Sequence, residues 1–246
     1  MGIAREVSDG IAEIVIDVPP VNALGAAAWF ELADLVGGAG DDTEVRAAIV
    51  RAEGRGFCAG VDIKELQADR QAIVAVSRGC AAAFAAVYEC AVPVIAAVHG
   101  FCLGGGIGIA GNADIVVASS DATFGLPEVD RGALGAATHL ARLVPPHRLR
   151  AMLYLAETAT AEELHGYGSI HRVVEREGLE KAARDVAIRI ADKSPHVIRL
   201  AKESLNGIDP LDVRRSYRYE QGFTYELNLT GVADEERQKF LDERST

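Results

Sequence analysis

The sequence predicts an α/β protein in which a β-rich, glycine-punctuated core precedes a helical C-terminal region. Three observations carry this reading. Short apolar runs with β-branched residues recur through the first half of the chain, and many of the 25 glycines fall in residues 54–60, 100–111 and 125–135. Beyond Pro145 and Pro146 the chain becomes charged, poor in glycine and helical in its spacing. The core is set at residues 1–190 and a C-terminal helical oligomerisation region at 191–246. A chain of 246 residues is long enough for one large domain or a domain with a helical appendage. Its 49% apolar content and mean hydropathy of +0.12 exclude a disordered chain.

Residues 11–18 (IAEIVIDV) read as a strand stopped by Pro19 and Pro20. Residues 26–36 follow as a helix with Trp29, Leu32, Ala33 and Val36 on one face. Residues 45–52 are a second strand, ended by Gly54, Arg55 and Gly56. A long alanine-rich helix is expected over 70–90, with Ile73, Val76, Cys80, Phe84 and Val87 as its stripe. Residues 92–98 and 114–119 are buried strands, separated by a short glycine-rich helix. Helices are expected at 178–191, 195–206, 211–228 and 234–244, the second with Pro195 in its first turn and Ser194 as N-cap.

Charge and composition narrow the function. The balance of 25 basic and 36 acidic residues gives −11, which offers no general attraction to nucleic acid or anionic membrane. The four cysteines form no CxxC pair, and no metal-ligand run is present. With no apolar leader and no uninterrupted apolar run of about 20 residues, a cytoplasmic protein with reduced thiols is expected.

Two patterns compete for the glycines. Residues 106–111 (GIGIAG) match a dinucleotide fingerprint, with Asp130 downstream. No crossover helix fits between Gly111 and Asp114, so that reading fails. There is no GxSxG elbow. The second reading takes 54–63 (GRGFCAGVDI) and Gly104, Gly105 and Gly106 as two loops that each leave a strand and enter a helix. Their free N–H groups would stabilise an anion. The alternative is that the glycines only mark tight turns.

Residues 57–66 (FCAGVDIKEL), 93–114 (PVIAAVHGFCLGGGIGIAGNAD) and 122–132 (ATFGLPEVDRG) resemble, in order and spacing, the three signatures of the crotonase (enoyl-CoA hydratase/isomerase) superfamily. The resemblance covers nearly the whole chain. It implies repeated ββα turns forming two roughly perpendicular sheets, a helical trimerisation region, and an acyl-CoA thioester substrate. It places the family's oxyanion hole on the backbone N–H groups of Ala59 and Gly105, flanked by Gly60 and Gly104. Asp62 and Ile63 would lie near the coenzyme A adenine.

The acid/base positions separate activities within the family. Its hydratases use two glutamates; here the third-signature position is Glu128, but the other is Gly108, which cannot transfer a proton. Glu128 alone, in an apolar cleft, would act as a base with a raised pKa. The competing reading is a helix-start carboxylate after Pro127. The loop 132–140 (GALGAATHL) is shorter than the family's. This makes Asp130 and Arg131 candidate polar groups for an unusual acyl moiety, or else an exposed charge pair. His99 and His139 read as structural. The aromatic-rich stretch 217–228 either packs between subunits or closes the pocket with a polar aromatic.

The further set PPVNA, EGRGF, TFGLPEV, RGALGAATHL and the EQGFT…ELNL…GVADE tail resembles a ring-opening hydrolase subgroup of this family that acts on a bicyclic keto acyl-CoA in bacterial steroid catabolism. The expected activity is hydrolytic C–C cleavage of a cyclic keto acyl-CoA, with enoyl-CoA isomerase or hydratase as alternatives. A non-catalytic or RNA-binding role is disfavoured by the charge and by Glu128. No metal or redox cofactor is implied, coenzyme A entering as part of the substrate. A homotrimer or dimer of trimers is expected.

Overall fold

The computed structural model describes residues 2–69 and 71–244. Strands β1 (Gly2–Ser8) and β2 (Ile11–Asp17) form a hairpin whose two turn residues, Asp9 and Gly10, both have positive φ. A ββα unit then recurs along the chain. In each, a strand of the large sheet is followed by a short strand of a smaller ladder and then by helix. The first unit is β2, β3 (Ala23–Leu24) and α1 (Ala26–Asp41). The second is β4 (Ala47–Ala52), β5 (Gly60–Val61), α2 (Ile63–Ala68) and α3 (Ala72–Glu89). The third is β6 (Val94–Val98), β7 (Phe101–Leu103) and α4 (Gly105–Ala110). The fourth is β8 (Ile115–Ser119), β9 (Thr123–Gly125), a 3-10 turn (Pro127–Arg131) and α5 (Ala137–Leu140).

There follow α6 (Pro146–Leu155), β10 (Thr158–Thr160), α7 (Ala161–Gly166), β11 (Arg172–Val174), α8 (Leu179–Ala191), α9 (Pro195–Ile208), α10 (Val213–Thr230) and α11 (Val232–Arg244). The expected start of the long helix at Arg70 lies outside the described residues. Ser194 precedes α9, but its side chain makes no capping bond.

Six strands pair in the order β1-β2-β4-β6-β8-β11, all parallel after the first hairpin. The expected second sheet is instead two ladders, β10-β9-β7 and β3-β5, and a parallel bridge between Cys58 and Cys102 ties them together. Alternation along each strand buries both faces of the large sheet. Ile14, Ile16, Val50, Ala96 and Val116 face the main core. Ile11, Ile49, Ile95 and Val117 face α8, through Leu179, Ala183, Val186 and Ala187.

Helix α3 is long and apolar enough to cross a membrane by composition, with a mean hydropathy of 1.4, although it carries Arg78, Gly79 and Glu89. Here it is a core helix. Val76, Cys80, Phe84 and Val87 are buried, and Gly79 lies so close to α1 that a Cβ there would stand 2.8 Å from Trp29 Cβ.

Helix α9 is fastened beneath the sheet by Lys202, whose Nζ lies 2.6 Å from Asp114 Oδ2; the same oxygen accepts the Val94 N–H. The lysine side chain is 4% exposed. Removing one partner of a buried pair strands the other, so Lys202→Met is expected to cost about 3 kcal/mol in urea unfolding.

Candidate active site

The three signature loops follow three neighbouring parallel strands. Ala59 comes after β4, Gly105 after β6 and β7, and Glu128 after β8 and β9, so all three converge outside the carboxyl ends of one sheet. They line a single chamber of about 120 Å³ whose remaining wall is largely apolar, with Val61, Ile63, Leu66, Val76, Cys80, Phe84 and Leu134.

Glu128 leaves β9 through Pro127, which starts the 3-10 turn. Its Oε2 is buried and unbonded, and Oε1 lies over Gly104, where a Cβ would stand 2.4 Å from it. Gly104 has φ +55°, which favours glycine there, and a side chain would also push the Glu128 carboxyl aside. Burial pushes the carboxyl up to about 8; its own backbone N–H and Arg131 oppose the shift, and Glu220 adds to it.

The two expected oxyanion donors differ in state. Gly105 N–H, at the first position of α4, meets no acceptor among the described residues. Ala59 N–H does not stand free as expected: it donates to Val21 O at 3.2 Å. Gly60 N–H points to Cys58 Sγ at 3.3 Å. A Cβ on Gly105 would stand 2.6 Å from the indole of Trp29, so α1 seats the donor from below.

The expected polar contacts divide. Arg131 lines the chamber with its guanidinium over the Phe240 ring, 4.3 Å from the centroid. Asp130 is exposed and lies outside the chamber wall, because the 3-10 turn that brings Glu128 inward carries Asp130 outward. Asp62 caps α2 by accepting the Lys64 N–H, and Ile63 lines the chamber. His99 and His139 are buried; burial lowers both, His139 to about 3, so both are neutral.

Gly108 has a structural counterpart that sequence reasoning missed. A side chain there would begin 2.2 Å from Phe84 Cζ, so the phenyl ring occupies the space a second carboxylate would need. Helix α10 was also only half anticipated. Tyr217, Gln221 and Thr224, spaced i, i+4 and i+7, line the chamber, while Tyr219 and Phe223 face outward. Gln221 donates to Ser77 O and Oγ, at 2.8 and 2.6 Å, and Thr224 donates to Leu134 O. Glu220 accepts the N–H groups of Ala137 and Thr138 and so caps α5 from another helix. The helical spacing of these polar residues was the available signal.

A buried carboxyl beside a helix-entry glycine loop, at the mouth of a ββα-repeat core, defines a crotonase-type site. The chain belongs to the enoyl-CoA hydratase/isomerase family, whose model matches residues 6–245. Within that family it is 60% identical over 245 residues to the (7aS)-7a-methyl-1,5-dioxo-2,3,5,6,7,7a-hexahydro-1H-indene-carboxyl-CoA hydrolase of Rhodococcus jostii, covering 98% of this chain and 95% of the relative. It is 61% identical over 234 residues to the Mycobacterium tuberculosis protein of the same name, covering 94% and 95%. Among solved structures, an enoyl-CoA hydratase/isomerase from Xanthobacter autotrophicus superposes with a TM-score of 0.89 at 27% identity, covering 98% of this chain and 92% of the other.

Proposed function

We propose that this protein hydrolyses a C–C bond in a bicyclic keto acyl-CoA, opening a ring while leaving the thioester intact. The observation that carries this is a lone buried carboxyl, Glu128, lining the same largely apolar chamber as Gly105, whose N–H meets no acceptor among the described residues. The relatives' substrate name supplies the acyl chemistry. Its hydro positions leave one ring double bond, conjugated with one ketone, and the other ketone adjoins the methyl-bearing ring-fusion carbon.

Glu128 takes a proton from water, and the water oxygen bonds to that second ketone carbon. The tetrahedral alkoxide collapses to a carboxylic acid, and the bond to the ring-fusion carbon breaks. The electron pair passes through the ring double bond to the acyl oxygen at Gly105, with Ala59 N–H turning from its long bond to Val21 as the second donor. The proton on Glu128 then returns to carbon. Proton transfer and enolate stabilisation suffice, so the scheme calls on no metal or redox cofactor beyond the coenzyme A of the substrate.

An enoyl-CoA isomerase would also use a single carboxylate, and mass spectrometry separates the two. Incubation with the bicyclic dioxo-indene carboxyl-CoA should yield a CoA thioester heavier by one water, with no free thiol. An unchanged mass would favour isomerisation, and free coenzyme A would favour thioester cleavage.

We also read the outward face of the C-terminal helices as an interface between copies. It carries Val197, Leu205, Ile208, Tyr219 and Leu229, each more than half exposed. The exposed apolar face supports self-association; we take the assembly to be a trimer or dimer of trimers, the compartment to be the cytoplasm and the ββα units to be turns of a superhelix.

A further inference from the structure

We propose that Tyr217 is a second catalytic residue, its phenol donating a hydrogen bond to the alkoxide that forms at the ring ketone; this rests on the ring-opening reading above. That reaction develops negative charge at two oxygens. The thioester oxygen has the Gly105 N–H, but the ring-ketone oxygen needs a donor of its own. Three uncharged hydroxyls line the chamber. Ser77 Oγ accepts the Gln221 amide N–H, which leaves its own O–H as a second available donor, and Thr224 donates to Leu134 O. Tyr217 reaches the same chamber as Glu128, and its hydroxyl has no hydrogen-bond partner among the described residues.

The phenol is held by its ring. Tyr217 packs edge-on against Phe84, with centroids 5.2 Å apart, and against His139 at 4.9 Å. Phe84 is the ring that fills the space beside Gly108. The aromatic side chain that excludes a second carboxylate therefore also braces a neutral donor on the same side of the chamber. Burial, with Cys80, Glu220 and Glu128 nearby, raises the phenol well above its ordinary value, so it stays protonated. It hydrogen-bonds to the alkoxide without transferring its proton. When the intermediate collapses, that oxygen becomes part of the new carboxyl group.

Tyr217→Phe keeps the ring packing and removes only the donor. With the bicyclic dioxo-indene carboxyl-CoA, kcat should fall about 100-fold, with KM and thermal midpoint nearly unchanged. Replacing Tyr217 by fluorinated tyrosines of graded acidity should make kcat vary with the acidity of the phenol, a response that a merely structural ring would not give. A Tyr217→Phe rate within threefold of wild type, or a flat fluorotyrosine series, overturns the proposal. Wild-type protein that fails to open the ring would overturn the underlying reading instead.

Discussion

Glu128→Gln should lower kcat by about 10²- to 10⁴-fold while the acyl-CoA still binds, because the amide keeps the shape of the side chain but cannot accept the proton from water. The same substitution should make the protein more stable at alkaline pH. Glu128 is held at about 8 in the fold, above the ordinary carboxyl value of 4.5. Between those values the folded chain keeps a proton that the unfolded chain releases. The stabilisation is complete below the lower value and is lost as pH rises through the upper one. Glutamine never ionises and so escapes that loss. The mutant should exceed wild type by up to about 5 kcal/mol in denaturant titrations at pH 9, and match it near pH 4. In the wild type, kcat/KM should rise with pH through about 8 as the base is unmasked. A Gln variant that turns over at most of the wild-type rate would remove Glu128 from the mechanism.

The parts of this site that the sequence disclosed are those that work through local backbone. Glycines 104 and 105 are demanded by contacts with Glu128 and Trp29, and the loop carrying Ala59 is fixed by its position between β4 and β5. Such requirements leave a pattern of residue types at fixed spacing. Side chains that meet only in three dimensions leave none. Phe84 reads as one more apolar residue in the stripe of α3, and nothing local says that it lies against residue 108. Tyr217 belongs to an evident helix, yet which of its faces looks inward depends on Gln221 reaching Ser77, 144 residues away. Asp130 could not be decided locally: its place in the chain allows a pocket group or an exposed charge, and a tight 3-10 turn that sends successive side chains in different directions leaves it exposed. Strands β7 and β9, with three residues each, are too short to show an alternation.

Straight-chain enoyl-CoA should be hydrated poorly, far below the roughly 10 per second of a typical enzyme. Hydration needs one group to take a proton from water and a second to deliver one to the carbon beside the thioester. Position 108 offers no such group, and Asp130, the nearest acidic alternative in the chain, is exposed. Tyr217 does not replace it, because its raised pKa makes it a reluctant proton source. Supplying the missing carboxylate alone should not help. In Gly108→Glu the new Cβ would begin 2.2 Å from Phe84 Cζ, so the ring must be displaced before the carboxylate can reach the chamber. Overpacking of this kind costs about 1–3 kcal/mol. Hydration should therefore remain slow in Gly108→Glu and rise only when Phe84→Ala is added. Rapid hydration of crotonyl-CoA by wild type would mean that another group donates the second proton. Rapid hydration by Gly108→Glu alone would mean that Phe84 yields easily. If both stay slow and hydration rises when Phe84→Ala is added to Gly108→Glu, the ring of Phe84 is what separates this site from the hydratases, by closing the position from which a second carboxylate would work.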